Sequence, residues 1–446
     1  MSASIGRHLS DSKVARWTVL IIVATAMMMG YFVNDVMSPL ETMLELPREQ
    51  GGLGWTPADY GLFSGAGGLI NVYLLMLFFS GLILDKMGVR FTGVLACSLM
   101  VAGVLIKLYG MELQSMLSFQ GSSLPSSVVV MSLGFAVFGV GYEMTGITVS
   151  KAMVRWFSGH ELALAMGLQL AMARLGTAAA LSVSAPVARH FSLSTPLLVS
   201  LSLLIIGLLS FLVFCVMDRK LDASKATMAA DGEEEPFRWS DIGVTLRSQG
   251  FWLITLFCVL FYSAVSPFLK FATKLMVVKY GVDPDVAGFF TSIAPFGTIL
   301  LTPVFGSVYD RYGKGVTLII IGTAMLAGVH LGFSLPFHSS ELAVGLMVLL
   351  SIGYSLAPAA LWPCVPKIIP LKCLGTAYSM IFFIQNFGRS VIPMLVGKAN
   401  ESDPSYTTSM LIFAVTALGA LLVAVAMSYV DRRKGYGLQK PNIRNR

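Results

Sequence analysis

Gly81-Leu82-Ile83-Leu84-Asp85-Lys86-Met87-Gly88-Val89-Arg90 closes one long apolar run, and Gly306-Ser307-Val308-Tyr309-Asp310-Arg311-Tyr312-Gly313-Lys314 closes another far along the chain. Both read G-x-x-x-D-[KR]-x-G. The two runs also open alike, with Thr56-Pro57 and Asp283-Pro284. Each opening is a helix-capping residue followed by Pro at the first helical position, where its missing N–H costs nothing. A single copy of such a string is weak, but two copies, each ending a Pro-started run, point to an internal duplication.

The surrounding sequence says what was duplicated. The 446 residues are 55% hydrophobic and only 12% charged, with a mean hydropathy of +0.76. Soluble chains carry about 25% charged residues, so this is a membrane protein. Crossing a hydrocarbon core about 30 Å thick takes roughly 20 apolar residues. Runs of that length lie near 17–40, 57–83, 91–112, 128–150, 162–186, 194–217, 250–278, 284–308, 315–336, 341–366, 374–398 and 406–430. The first run follows Arg7, Lys13 and Arg16 but is too long for a cleaved signal, so it reads as a retained helix. The two motif-bearing runs are spans two and eight, the same rank in each half. The expected fold is therefore an all-α membrane protein of twelve transmembrane helices in two pseudo-symmetric six-helix bundles. Its units are residues 1–217, a cytoplasmic linker over 218–249 that holds Glu233-Glu234-Glu235, and residues 250–446 with a cytoplasmic tail. Parallel repeats of this kind are related by an axis along the membrane normal, and alternating access by rocking of the two halves around a central site follows from them.

Charge sets the orientation. Lys86, Arg90, Lys151, Arg155, Arg311, Lys314 and Arg432-Arg433-Lys434 fall at one face, against Arg48, Lys107, Arg189, Lys274, Lys279 and Lys398 at the other. Positive loops stay cytoplasmic, which places both termini inside. The net charge of +7 is spread over every inner loop, so no nucleic-acid partner is implied. Cys97, Cys215, Cys258, Cys364 and Cys373 form no C-x-x-C pair or secreted framework. No phosphate-binding G-x-x-x-x-G-K-[ST] string occurs, and the five histidines are scattered, which argues against an ATPase, a metal, a cofactor or an enzyme. The reading is of a monomeric carrier in the lipid bilayer with a small-molecule substrate, an accessory subunit being left open.

With these features the chain resembles the major facilitator superfamily, in which this loop pattern recurs after the second and eighth helices. Trp156-Phe157, the run from Gly167 through Ala173-Arg174-Leu175-Gly176, Leu361-Trp362-Pro363, and Leu374-Gly375-Thr376-Ala377-Tyr378 with Ile384-Gln385-Asn386 resemble a narrower branch. That branch includes the lysosomal dipeptide uniporter of animals and its bacterial relatives. Neither end carries an acidic dileucine sorting string, so a bacterial inner membrane is expected.

Charges inside spans are expensive and mark function by default; here they are Asp35, Glu143, Arg174, Lys270 and Arg389. Glu143 and Arg174 differ in depth by roughly 8 Å at 1.5 Å per residue. Two extended residues reach about 7 Å, so a dipeptide fits between them. The resemblance implies that these two hold the peptide termini; the alternative is that they only neutralise each other. Asp35 is read as part of the amine site, a proton carrier, or a ligand of backbone freed before Pro39. Tyr31, Lys274, Trp362 and Gln385 are further candidates, each with a packing or interfacial alternative. Arg389 departs from the family pattern; facing the cavity, it would favour acidic or anionic substrates, and Lys270 raises the same question. Asp85, Arg90, Asp310 and Arg311 are expected to gate, with Asp85 capping a helix or pairing with Arg90. Dipeptide uniport is the expected activity, with proton symport or small organic-anion transport as alternatives.

Overall fold

The computed structural model describes residues 9–119, 122–157, 161–226, 243, 245–369 and 374–441. The linker's Glu233-Glu234-Glu235 and Cys373 lie outside the described residues. The amino-terminal half contains α1 (Lys13–Asp35), α2 (Pro57–Ala66), α3 (Leu69–Tyr73), α4 (Met76–Glu112), α5 (Ser126–Phe157), α6 (Leu162–His190) and α7 (Thr195–Ala226). The carboxy-terminal half contains α8 (Gln249–Val278), α9 (Pro284–Tyr312), α10 (Gly315–Ser334), α11 (Ser340–Ile368), α12 (Leu374–Ser402) and α13 (Thr407–Lys434). Eleven helices of the described residues are long and apolar enough to cross a membrane. The twelfth crossing is span two, which is broken into α2, α3 and the start of α4.

Both Pro-started helices begin as the sequence predicts. Thr56 accepts from the Asp59 N–H and Asp59 returns a bond to the Thr56 N–H, a full capping box, while Asp283 accepts from the Asp285 N–H. Both motif copies also end alike, with Gly88 at φ 76° and Gly313 at φ 72°. Only glycine adopts that backbone without strain, which is why the motif closes on it. The carboxy-terminal copy is held by the tail: the Lys314 N–H donates to the Gln439 carbonyl (2.7 Å) and the Tyr309 hydroxyl to that of Leu438 (3.2 Å).

Span two breaks at Gly67-Gly68 and again at Leu75, whose φ is 54°. The first break sits against Gly139 of α5, where a Cβ would fall 1.8 Å from the Gly67 carbonyl oxygen. Asn71 donates to the Gly139 carbonyl at 3.0 Å, tying the irregular segment to α5. Such backbone is tolerated at membrane depth where it lines a cavity, and here it does. One two-stranded hairpin, β1 (Met116–Phe119) paired with β2 (Ser122–Pro125), is an addition to the all-helical expectation.

The halves meet along two helix pairs, α2 with α12 and α6 with α9. In the half of each pair away from the motif loops, small residues bring the backbones together. A Cβ on Gly61 would lie 2.6 Å from the Pro393 carbonyl oxygen, and one on Gly288 would lie 2.1 Å from that of Leu181. Toward the motif loops the picture reverses: Gly81, Gly167 and Gly306 face open space. The bundles thus form a V, closed at the far end and open at the basic-loop end. Between described residues, the hydrogen bonds and ion pairs that join the halves all lie at mid-depth or toward the closed end.

Candidate substrate site

At the apex of the V lies a cavity with about 740 Å³ of empty space, counted out to open solvent. Its wall includes Tyr31, Asp35, Glu143, Arg174, Lys270 and Arg389. Four of the seven predicted substrate residues are therefore there, with both cations whose orientation was in question. Asp35 ends α1, Glu143 and Tyr142 sit in mid-α5, and Arg174 faces inward from α6. Lys270 comes from α8 and Arg389 from α12, in the opposite half.

The alternative in which Glu143 and Arg174 neutralise each other is not the pairing that forms. Glu143 takes Arg389 across the halves, at 2.8 Å, and not Arg174. Asp35 takes Lys270, also across the halves, at 2.6 Å. It further accepts from the Thr177 hydroxyl (2.9 Å) and the Asn34 amide (3.0 Å), while Lys270 also donates to the Asn34 carbonyl. Asp35 is thus locked into a side-chain network and does not serve the backbone near Pro39. Arg174 pairs with no carboxylate among the described residues; its guanidinium lies over the Tyr354 ring, 5.1 Å from the centroid. Tyr31, Tyr142 and Tyr354 share the cavity wall with it. Arg389 lies 5.9 Å from the Tyr142 ring centroid, and Tyr31 packs on Tyr142 at 4.9 Å. The result is an aromatic-walled site with two satisfied carboxylates and one open guanidinium.

Three predicted residues lie off the cavity. Lys274, one turn beyond Lys270, is buried at the closed end and donates to Glu41 (3.2 Å) and to Glu45. Its partners sit just past the predicted end of span one, on short helical turns that continue it over Ser38–Leu40 and Glu41–Leu44. Gln385 is buried beside the site, because successive helical residues point about 100° apart and Asn386 takes the cavity face. Trp362 acts at one remove: its indole N–H donates to the Tyr262 hydroxyl at 3.2 Å, and its ring packs on Tyr378 and Phe382.

At the basic-loop end Asp85 pairs with Lys151 of α5 at 2.6 Å, and not with Arg90. Arg90 reaches Asp222 at 2.9 Å and Asp218 at 3.7 Å on α7, where Arg155 also binds. These contacts stay within the amino-terminal half. Asp310 ends α9 at the equivalent place, and Arg311 is exposed. Sequence reasoning missed Tyr354, Thr177 and the broken Gly67-Gly68 segment; Glu41 and Glu45, four apart and facing one lysine, carried a usable charge signal.

Two helical bundles closed at one end, open at the other and sharing a charged cavity define a polytopic membrane transporter rather than an enzyme. The chain belongs to the major facilitator superfamily, whose family model matches residues 19–393 and again 272–443. The lysosomal dipeptide transporter MFSD1 of Homo sapiens is 28% identical over 378 residues, covering 82% of this chain and 77% of that protein. The nitrite extrusion protein of Bacillus subtilis is 21% identical over 199 residues, 44% of this chain and 49% of that one. A crystal structure of the peptide transporter POT with alafosfalin superposes with a TM-score of 0.70 at 15% identity, covering 98% of this chain and 97% of its own. The D-xylose-proton symporter superposes with a TM-score of 0.69 at 13% identity, covering 92% and 97%. At these identities the two structures speak for the fold alone.

Proposed function

We propose that the chain carries dipeptides, or similarly small zwitterions, by alternating access and without proton coupling. The observation that carries this reading is the open Arg174, a planar donor fork matched to a carboxylate, in a cavity that also holds Glu143 and Asp35. The substrate's carboxylate binds Arg174 and its ammonium competes for a carboxylate. The similarity to the human lysosomal dipeptide transporter supports the substrate class. Uniport is supported by the pairing of Asp35 and Glu143 with Lys270 and Arg389, which leaves neither carboxylate free as a dedicated proton carrier. The basic loops support cytoplasmic termini, with the open mouth of the V facing the cytoplasm, and a bacterial cell membrane is part of the same proposal. The two-bundle division and the monomeric state belong to the same proposal, with the first bundle carried on past 217 because α7 continues to Ala226.

The test is counterflow of a labelled dipeptide into proteoliposomes with no imposed proton gradient. The unmodified protein exchanges it, whereas Glu143→Gln and Arg174→Ala, checked for folding by gel filtration, do not. Normal exchange by both variants overturns the site; exchange that requires an imposed proton gradient overturns uniport.

A further inference from the structure

We propose that the cavity selects dipeptides of net charge −1, those with one acidic side chain, and that Arg389 receives the side-chain carboxylate. This rests on the dipeptide reading above. The wall carries Arg174, Lys270 and Arg389 against Asp35 and Glu143. Directly behind it stand Lys107, buried against the Phe135 and Phe138 rings, and Lys274 with Glu41 and Glu45. The wall itself holds one positive charge in excess, and an uncompensated charge at membrane depth is costly.

A neutral zwitterion does not remove that excess. Its carboxylate satisfies Arg174 and its ammonium shares Glu143, whose second oxygen is not used by the 2.8 Å contact to Arg389. Arg389 then has to share its one carboxylate with the ammonium, and the excess charge is unchanged. If the ammonium takes Asp35 instead, it shares that carboxylate with Lys270, which also keeps the Asn34 carbonyl. An acidic side chain supplies the missing partner: its carboxylate meets Arg389 in a charge-assisted, fork-shaped contact while the ammonium stays on Glu143. Net charge and local partners both balance. A dicarboxylate without an amine leaves the Glu143–Arg389 pair intact and overshoots to an excess negative charge, and a basic dipeptide adds to the positive one.

The experiment uses pairs of near-identical shape and different charge on the unmodified protein, Ala-Glu against Ala-Gln and Ala-Asp against Ala-Asn. Lys-Ala and succinate are further arms, with binding measured by calorimetry in detergent. The acidic member of each pair binds about tenfold tighter, the scale of one charged hydrogen bond. Lys-Ala and succinate bind more weakly than either. In Arg389→Gln the ratio within each pair falls to about one, and in Arg389→Lys much of it returns. Equal binding of Ala-Glu and Ala-Gln overturns this proposal and leaves the dipeptide reading standing. Binding of succinate with no dipeptide overturns both. A tenfold ratio that survives in Arg389→Gln removes Arg389 from the role.

Discussion

Lys274 shows how one side chain can couple the two halves. It belongs to α8, yet both of its partners, Glu41 and Glu45, belong to the extension of α1. Glu41 is fully buried, and its second carboxylate oxygen has no hydrogen-bond partner. Removing one partner of a buried pair costs about 3–5 kcal/mol, mostly because the other is left charged and dry. Lys274→Ala therefore lowers the thermal unfolding midpoint, and Lys274→Ala with Glu41→Gln recovers part of the loss. If the double variant melts no higher than the single one, the stranded Glu41 charge is not the cause. Individual charges of this kind were legible in the sequence because the bilayer makes them rare. Their partners were not, because pairing depends on rotation about a helix axis and on contacts between halves. Glu143 and Arg174 lie on adjacent spans of one half, yet Glu143 reaches Arg389 on α12.

The G-x-x-x-D-[KR]-x-G loops are alike in backbone and unlike in attachment. Both place their last glycine at positive φ, but the first copy is fixed by Arg90 and Arg155 on Asp218 and Asp222, and the second by the chain's own tail. A Cβ on Gly88 would meet nothing within 4 Å, whereas one on Gly313 would lie 2.4 Å from the Gln439 carbonyl oxygen. Gly88→Ala thus pays only the backbone term, about 1–3 kcal/mol for an L-residue in this region. Gly313→Ala adds loss of the tail contact. Thermal melts of the two purified variants should rank Gly313→Ala lower; equal midpoints would mean the tail contributes nothing there. Element starts, ends and rank were readable from Pro, cap and glycine chemistry, which act locally. The breaks in span two were not, since Gly67-Gly68 reads like ordinary membrane-helix glycine until Gly139 is packed against it.

At the scale of the whole molecule, transport needs the V to open at its closed end while its mouth shuts. The closed end is a seam of backbone against backbone, at Gly61 with Pro393 and Gly397 and at Gly288 with Leu181. Side chains at such contacts can yield, but carbonyls inside helices cannot, because each is already fixed by its own ladder. Gly288→Val therefore forces the far end apart without touching any residue of the cavity wall. The cross-half pairs Asp35–Lys270 and Glu143–Arg389 sit between seam and mouth, where a rocking motion of the two bundles would displace them least. The expected outcome is a chain that still binds dipeptide but no longer exchanges it across the membrane. Spin labels on Leu164 of α6 and Val304 of α9, both exposed near the mouth, report the motion directly. In the unmodified protein their separation is broad and long; in Gly288→Val it shifts to a single shorter distance as the mouth closes. An unchanged distribution in that variant would mean that the two bundles do not move as rigid bodies about the charged pairs, and alternating access would need another hinge.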